Sequence, residues 1–352
     1  MRARQARRYP PKRLARACAG RGRAAIAALA GLALQALGTA APACQVIDAT
    51  VTLAPVAAAT AGKPEAEQIA AYRQGVIDRW AGLYRQEVLG LTPGPAMDRQ
   101  ILRSLETTRR DGDRQELKRL LRTQIFATSA ALHVFADFRC NFPIYLADTL
   151  GSLDGAGRVV DGQRALVLGV GSLAQEQSQI SLPVFFTHEF FHRYHFEAAG
   201  FSDDLEDRQE IWRNLWAEGL ATYMSEVLTP KASAADALMV PRDLAERAEP
   251  LTPRMAGELL RGLDGMDEDL FRTYFSYDPR REQRGIPPRA GYYVGYVVAR
   301  RLAARHTLYE LAHLKGEELH REIEQTLREL AADGRSAAAP TRVTSRRSSA
   351  QD

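Results

Sequence analysis

His188, Glu189 and His192 spell H-E-x-x-H inside SLPVFFTHEFFHRYHFEAA, residues 181–199. Histidines four residues apart stand on one face of a helix, about one turn apart, so both imidazoles can reach one metal ion. Zinc favours imidazole and carboxylate ligands, and a catalytic zinc keeps one position open for water. The glutamate between the histidines sits where it can take a proton from that water. The pattern proposes a zinc hydrolase: Zn2+ as cofactor, His188 and His192 as ligands and Glu189 as general base. Ordinary residue frequencies produce such a string in roughly one chain in a hundred of this length. The competing reading is an amphipathic helix whose histidines cap a core face, so a third ligand has to decide.

Glu218 is the best third ligand. It lies in WRNLWAEGLATYMSE, residues 212–226, where Leu215, Trp216, Leu220, Tyr223 and Val227 recur at helical spacing. Most glutamates are exposed, but this one is flanked by Trp216, Ala217, Gly219, Leu220 and Ala221, and a carboxylate in apolar surroundings needs a partner. A turn through Gly200-Phe201-Ser202-Asp203-Asp204 would return the second helix antiparallel to the first, with Glu218 facing the histidines. Glu226 is the fallback ligand. Glu210, at the acidic start of the helix, is a weaker one.

HEFFH followed by an E-G-L-A-x-Y-x-S helix resembles the gluzincin clan of zinc metallopeptidases, and within it the predicted zinc-dependent proteases of bacteria. The resemblance covers roughly residues 166–330 and is specific for the clan, not for one family. It implies His188, His192 and Glu218 as zinc ligands, Glu189 as general base, and a peptide or protein substrate. The interval from His192 to Glu218 is 26 residues, longer than in thermolysin-type members, so an inserted turn is expected and no thermolysin preference is transferred. The acidic residue usual in the clan one turn after the ligand glutamate is absent, because Thr222 stands there. Asp203, Asp204 and Asp207 are the candidates for orienting His188 or His192 instead.

Stepping outward, residues 164–172, RALVLGVGS, form a β-rich run after turn residues Asp154-Gly155-Ala156-Gly157 and Asp161-Gly162. They read as the second strand of a hairpin whose first strand holds residues 157–160. Gluzincins resemble this layout, with an edge strand along the cleft that can bind extended peptide. Gly169 and Gly171 would permit close backbone approach, although an ordinary core strand explains the run equally well. Farther on, PPRAGYYVGYVVARRL, residues 287–302, opens a helix rich in tyrosine. Amide hydrolysis develops negative charge on the carbonyl oxygen, so a donor is needed near the metal. Tyr293 and Tyr296, three residues apart on one face, are the candidates, with Arg289 at the mouth, and a similar G-Y-x-x-G-Y segment occurs in related predicted proteases. Core packing is the commoner use of such tyrosines. His195, seven residues after His188, is a nearby proton donor or a surface histidine. His306, His313 and His320 recur every seven residues, as on one helix face.

The first 23 residues carry eight Arg, one Lys and no acid; an apolar run over residues 24–37 and small residues to Ala43 follow. This reads as a secretory signal peptide over residues 1–43, and the run is too short to span a bilayer comfortably. Without those nine cations the remainder holds 38 basic and 43 acidic residues, a net −5, so nucleic acid is not an expected partner. Cleavage after Ala43 leaves Cys44 and Cys140 as an even pair, which suggests a disulfide in an oxidising compartment. It is preferred over lipidation of Cys44. A periplasmic or secreted protein with no transmembrane span in the mature chain follows.

The expected fold is α+β and mostly helical, zincin-like, with a small sheet packed on the active-site helix and a helical C-terminal subdomain. The regions are residues 44–150, mainly helical, with 68–89 and 97–125 as helices; 151–330, catalytic, its helices after residue 234 broken at Pro250–Pro253 and over 277–288; and a disordered tail, 331–352. The expected function is zinc-dependent peptide-bond hydrolysis. Its rivals are a non-catalytic zinc-containing envelope binding protein and a zinc amidase acting on a cell-wall amide.

Overall fold

The computed structural model describes residues 44–136, 138–201, 209–277 and 285–337. The expected signal peptide over residues 1–43, the aspartates Asp203, Asp204 and Asp207, and residues 338–352 lie outside them. In chain order the elements are β1 (Gln45–Asp48), α1 (Leu53–Ala59), α2 (Glu65–Tyr72), α3 (Gln86–Leu89), α4 (Pro95–Asp111), α5 (Gln115–Ala136), β2 (Pro143–Ala147), β3 (Gly155–Val160) and β4 (Gln163–Gly169). Then come α6 (Val170–Glu176), α7 (Leu182–Ala199), α8 (Ile211–Leu228), α9 (Ala234–Leu238), α10 (Leu244–Ala248), α11 (Thr252–Arg261), α12 (Glu268–Phe275), α13 (Ala290–Leu302), α14 (Leu308–His313) and α15 (Gly316–Ala337). The fold is α+β and mostly helical, with one small sheet. Among the described residues no helix is long and apolar enough to cross a membrane.

The sheet runs β1-β2-β4-β3. The expected hairpin forms, with β3 antiparallel to β4 and Gly157 opposite Leu166. β1 and β2 are additional strands, parallel to each other and to β4. Side chains alternate across the sheet: Ile144, Leu146, Leu166 and Leu168 pack with α5 and α7, while Ala147, Ala165 and Val167 face the α1–α4 layer. A boundary at residue 150 therefore does not separate two bodies, because strands from either side of it share this sheet. The described residues belong to one compact unit. β1 and β2 start in register, Gln45 opposite Pro143. That places Cys44 beside Cys140, Cα to Cα 4.9 Å, and the two form the expected disulfide.

Other boundaries differ from the sequence reading for local reasons. The expected helix over 68–89 leaves α geometry after Tyr72, passing through a π turn, Arg73–Ile77, and a 3₁₀ turn. There the Thr52 hydroxyl donates to the Gly75 carbonyl at 2.7 Å, and a side chain that enters the ladder disturbs it. The expected helix over 97–125 divides at Gly112 and Arg114, both at positive φ, because glycine readily ends a helix. The expected break at Pro250–Pro253 is a 3₁₀ turn, Glu249–Leu251, between α10 and α11, whose first turn holds Pro253. The first residues of the expected tail are helical: α15 continues to Ala337, and Ala331 packs on the core.

The C-terminal helices surround α8 and α13. These two meet at Gly219 and Gly295: a methyl on Gly219 would lie 2.1 Å from the Gly295 carbonyl carbon, and one on Gly295 would lie 2.3 Å from the Leu215 oxygen. Only glycine allows that backbone contact. Gly219→Ala should therefore lower unfolding stability by about 1–3 kcal/mol through overpacking. Gly257→Ala, in α11 with its nearest neighbour at 3.8 Å, should be neutral or gain up to about 1 kcal/mol of helix propensity. Denaturant titration of both variants checks this, and equal midpoints would contradict the close crossing.

Candidate metal centre

α7 is buried nearly all round, as a helix apolar on every face must be. Phe185, Phe186 and Phe190 pack towards the sheet and Phe191 towards α8, leaving His188, Glu189 and His192 along a cavity of about 450 Å³. α8 runs back against α7: Phe201 meets Trp212, His188 meets Glu218, and the Thr229 and Thr187 hydroxyls lie 3.1 Å apart. The contacts take opposite chain order, so the helices are antiparallel, as expected.

This pairing brings three donor atoms together. His188 Nε2 lies 3.0 Å from His192 Nε2, and the Glu218 Oε2 oxygen lies 3.3 Å from each. Donors bonded at ~2.0–2.1 Å to one tetrahedral ion stand roughly 3.3 Å apart. The group can therefore hold a metal ion. His188 and His192 are buried, while Glu218 keeps 26 % of its side chain open to the cavity. Burial draws His188 down to about 4, against its hydrogen bond to Glu218. Burial alone would raise Glu218, but His192 and His188 outweigh it and hold the carboxylate well below its usual range. A neutral imidazole and an ionised carboxylate are the forms that bind a metal.

Glu189 lines the same cavity and makes no hydrogen bond with the described residues. Burial pushes it up to about 8, against the pull of His192 and with added repulsion from Asp154 and Glu218. A cation held by the triad would draw it down again.

The remaining candidates are distributed differently from the sequence reading. Tyr293 and Tyr296 do not line the cavity: Tyr293 packs in the core, and the Tyr296 hydroxyl donates to Glu226 at 2.8 Å. Tyr292 lines it instead, its ring 6.3 Å from that of His188 and nearly parallel. Burial and the Glu218 charge push the Tyr292 phenol well above its usual range, so it stays a donor. Tyr292 and Tyr296 lie one turn apart on the side of α13 that meets α8, but Tyr296 meets α8 farther along, at Tyr223 and Glu226, beyond the cavity. No local signal in the sequence separates Tyr292 from Tyr296, because the two share one helix face. Arg289 lines the cavity as expected, over the Tyr292 ring at 3.9 Å and donating to the Val240 carbonyl at 2.9 Å.

Glu226 lies two turns beyond Glu218 and pairs with Tyr296, and Glu210 pairs with Arg213, so neither joins the triad. The Thr222 hydroxyl bonds the Glu218 carbonyl on its own helix. His188 Nδ1 has no hydrogen-bond partner among the described residues. Gly169 belongs to an inner strand and accommodates the Leu153 carbonyl, while Gly171 is in α6 with no close neighbour. The edge strand that lines the cavity is β3, and there Gly155 makes room for the Phe185 ring, 2.5 Å from where a methyl would stand. His306 lies in the connection after α13, His313 on α14 and His320 on α15, and they pair with Glu322, the Tyr309 carbonyl and Asp264.

Comparison of the chain with protein-family models, with curated proteins and with solved structures finds no match. The chemistry of the site therefore stands on these residues and their geometry.

His195 is neither at the surface nor on the cavity. It is fully buried among Phe191, Phe196 and Phe201, and neither ring nitrogen has a hydrogen-bond partner among the described residues. Burial draws it down from 6.5 to about 3. Between those values the unfolded chain takes up a proton that the folded chain refuses, so stability falls as pH drops through this window. His195→Phe should remove that part of the acid loss and raise the melting temperature at neutral pH, because an unsatisfied buried polar group disappears. Thermal melts at pH 7.5 and 5 test this; a slope unchanged by the substitution would contradict it.

Proposed function

We propose that the chain is a zinc-dependent peptidase of gluzincin type, acting in the cell envelope or outside the cell. The observation that carries this reading is the convergence of His188 Nε2, His192 Nε2 and Glu218 Oε2 at 3.0–3.3 Å beside a buried glutamate on one cavity. Two imidazoles and one carboxylate are a zinc set that leaves a position open. The Cys44–Cys140 disulfide supports export, since such bonds persist in oxidising compartments.

A zinc ion held by the triad supplies Lewis-acid chemistry, polarising a carbonyl and acidifying a water molecule. Glu189 accepts the proton of the attacking water at its carboxylate and passes it to the leaving amine. Tyr292, held protonated, offers its hydroxyl to the oxygen on which negative charge develops. Arg289, tied to the Val240 carbonyl, lies over the Tyr292 ring and holds it in place. The free side of β3 offers main-chain groups to an extended substrate.

Zinc analysis of the purified protein beside Glu218→Ala tests the ligand set. The wild type should hold one zinc per chain, and the variant should lose it on brief dialysis against a chelator; equal retention would remove Glu218 from the set. Glu189→Gln should keep zinc and lose at least a thousandfold in peptide hydrolysis, roughly the value of a positioned acid–base group. Full activity in that variant would end the mechanism. Casein and peptidoglycan fragments serve as the substrate pair: turnover of the fragments alone would make the protein an amidase, and zinc binding with no turnover of either would make it a binding module.

A further inference from the structure

A second cavity, of about 380 Å³, lies at the carboxyl ends of the parallel strands β2 and β4, the end at which open parallel sheets commonly hold ligands. One face of α4 borders it with Gln100, Ser104 and Thr107; the loop after β2 and the helix α6 close the other sides. Asp148, the residue after β2, is 7 % exposed and lines this cavity. Its carboxylate accepts from the Tyr72 hydroxyl at 2.8 Å, the Ser104 hydroxyl, and the Leu150 N–H at 3.3 Å. All three donors are neutral, and Asp148 forms no ion pair among the described residues. The ammonium of Lys118 is taken instead by Asp48 and Asp113. A carboxylate this buried is costly to hold without a positive charge beside it.

Arg114 stands across from it. Its Nη2 donates to Asp111 at 3.1 Å, which leaves Nη1 on the cavity side. Gly171 on α6 keeps the space between the two charges open: a methyl there would lie 3.8 Å from Arg114 Nη1 and 4.0 Å from Asp148 Oδ1, with nothing nearer. Two residues of the rim, Arg114 and Leu150, are held at φ 51° and 54°. Such backbone is strained in residues with a side chain, and it concentrates at ligand clamps. A bare metal cation would gain Asp148 but meet the charge of Arg114, and a hard cation needs several more oxygen ligands. A simple anion would gain Arg114 and meet Asp148. A small molecule carrying both charges satisfies both walls.

We propose that this cavity binds a free α-amino acid with a polar side chain. The ammonium of the ligand pairs with Asp148, and its carboxylate pairs with the guanidinium of Arg114, a strong charge-assisted contact. Its side chain meets the hydroxyl and amide groups of Thr107, Gln100 and Gln175. Neither Asp148 nor Arg114 borders the metal cavity, so the site does not depend on the peptidase reading.

Isothermal titration of the full chain with glutamine tests this. One site should fill with a Kd of roughly 1 mM or tighter, the range open to so small a ligand. Methylammonium and acetate, which carry one charge each, should bind at least about tenfold more weakly, as should glutamine to Arg114→Gln or Asp148→Asn. Asp148 also anchors Tyr72 and Ser104, so Gly171→Leu gives a check free of that structural role. It places a side chain in the open space and should abolish glutamine binding with the melting temperature nearly unchanged. Glu218→Ala should bind glutamine as the wild type does. The proposal is overturned if glutamine does not bind, if acetate or methylammonium binds as tightly, or if binding survives Gly171→Leu. Loss of binding in Glu218→Ala would overturn it as well, because the ligand would then sit at the triad.

Discussion

Backbone contact between α8 and α13 at Gly219 and Gly295 governs what can stand at the centre of this protein. The residue before Gly219 is Glu218, and the residue one turn before Gly295 is Tyr292. Drawing the two backbones together carries both side chains to the cavity next to α7. Glu218 is an ionised group among Trp216, Ala217 and Leu220, and such a group is costly to bury without a partner. The two imidazoles across the helix interface supply that partner. A methyl on either glycine would push the helices apart and, with them, the carboxylate from the histidines.

The rest of the fold keeps this arrangement in place. The sheet holds one side of α7 through Phe185, Phe186 and Phe190, and α8 holds another through Phe191. With its surroundings that full, α7 has little freedom to rotate, so the direction of His188, Glu189 and His192 is set by apolar packing. The same packing shapes their charge: burial keeps His188 neutral and raises Glu189, while the histidines keep Glu218 ionised. Neighbouring carboxyl groups with opposite pKa shifts are a pattern of sites that move protons.

Some of this was legible in the chain. H-E-x-x-H already carries the helical spacing of its ligands, and the apolar neighbours of Glu218 marked it as a glutamate in need of a partner. The β3–β4 hairpin was legible from its turn residues. β1 and β2 were not, because they are short parallel strands that pair with each other across about a hundred residues of sequence, and no local pattern specifies such pairing. The division of the 97–125 helix rested on a single Asp-Gly-Asp turn. His306, His313 and His320 looked like one face because seven residues is nearly two helical turns, yet turns between them put each on a different element.

By itself the sequence determined the donor types, their spacing along α7, and the glutamate most in need of them, since these follow from residue chemistry and helical period. The tertiary structure decided which tyrosine reaches the cavity, because the position of α13 along α8 is set by a glycine contact between helices far apart in the chain. It also decided that β3, not β4, borders the site, because strand order comes from long-range pairing. Tyr292 rather than Tyr293 or Tyr296, and Gly155 rather than Gly169, are the outcomes of those two constraints.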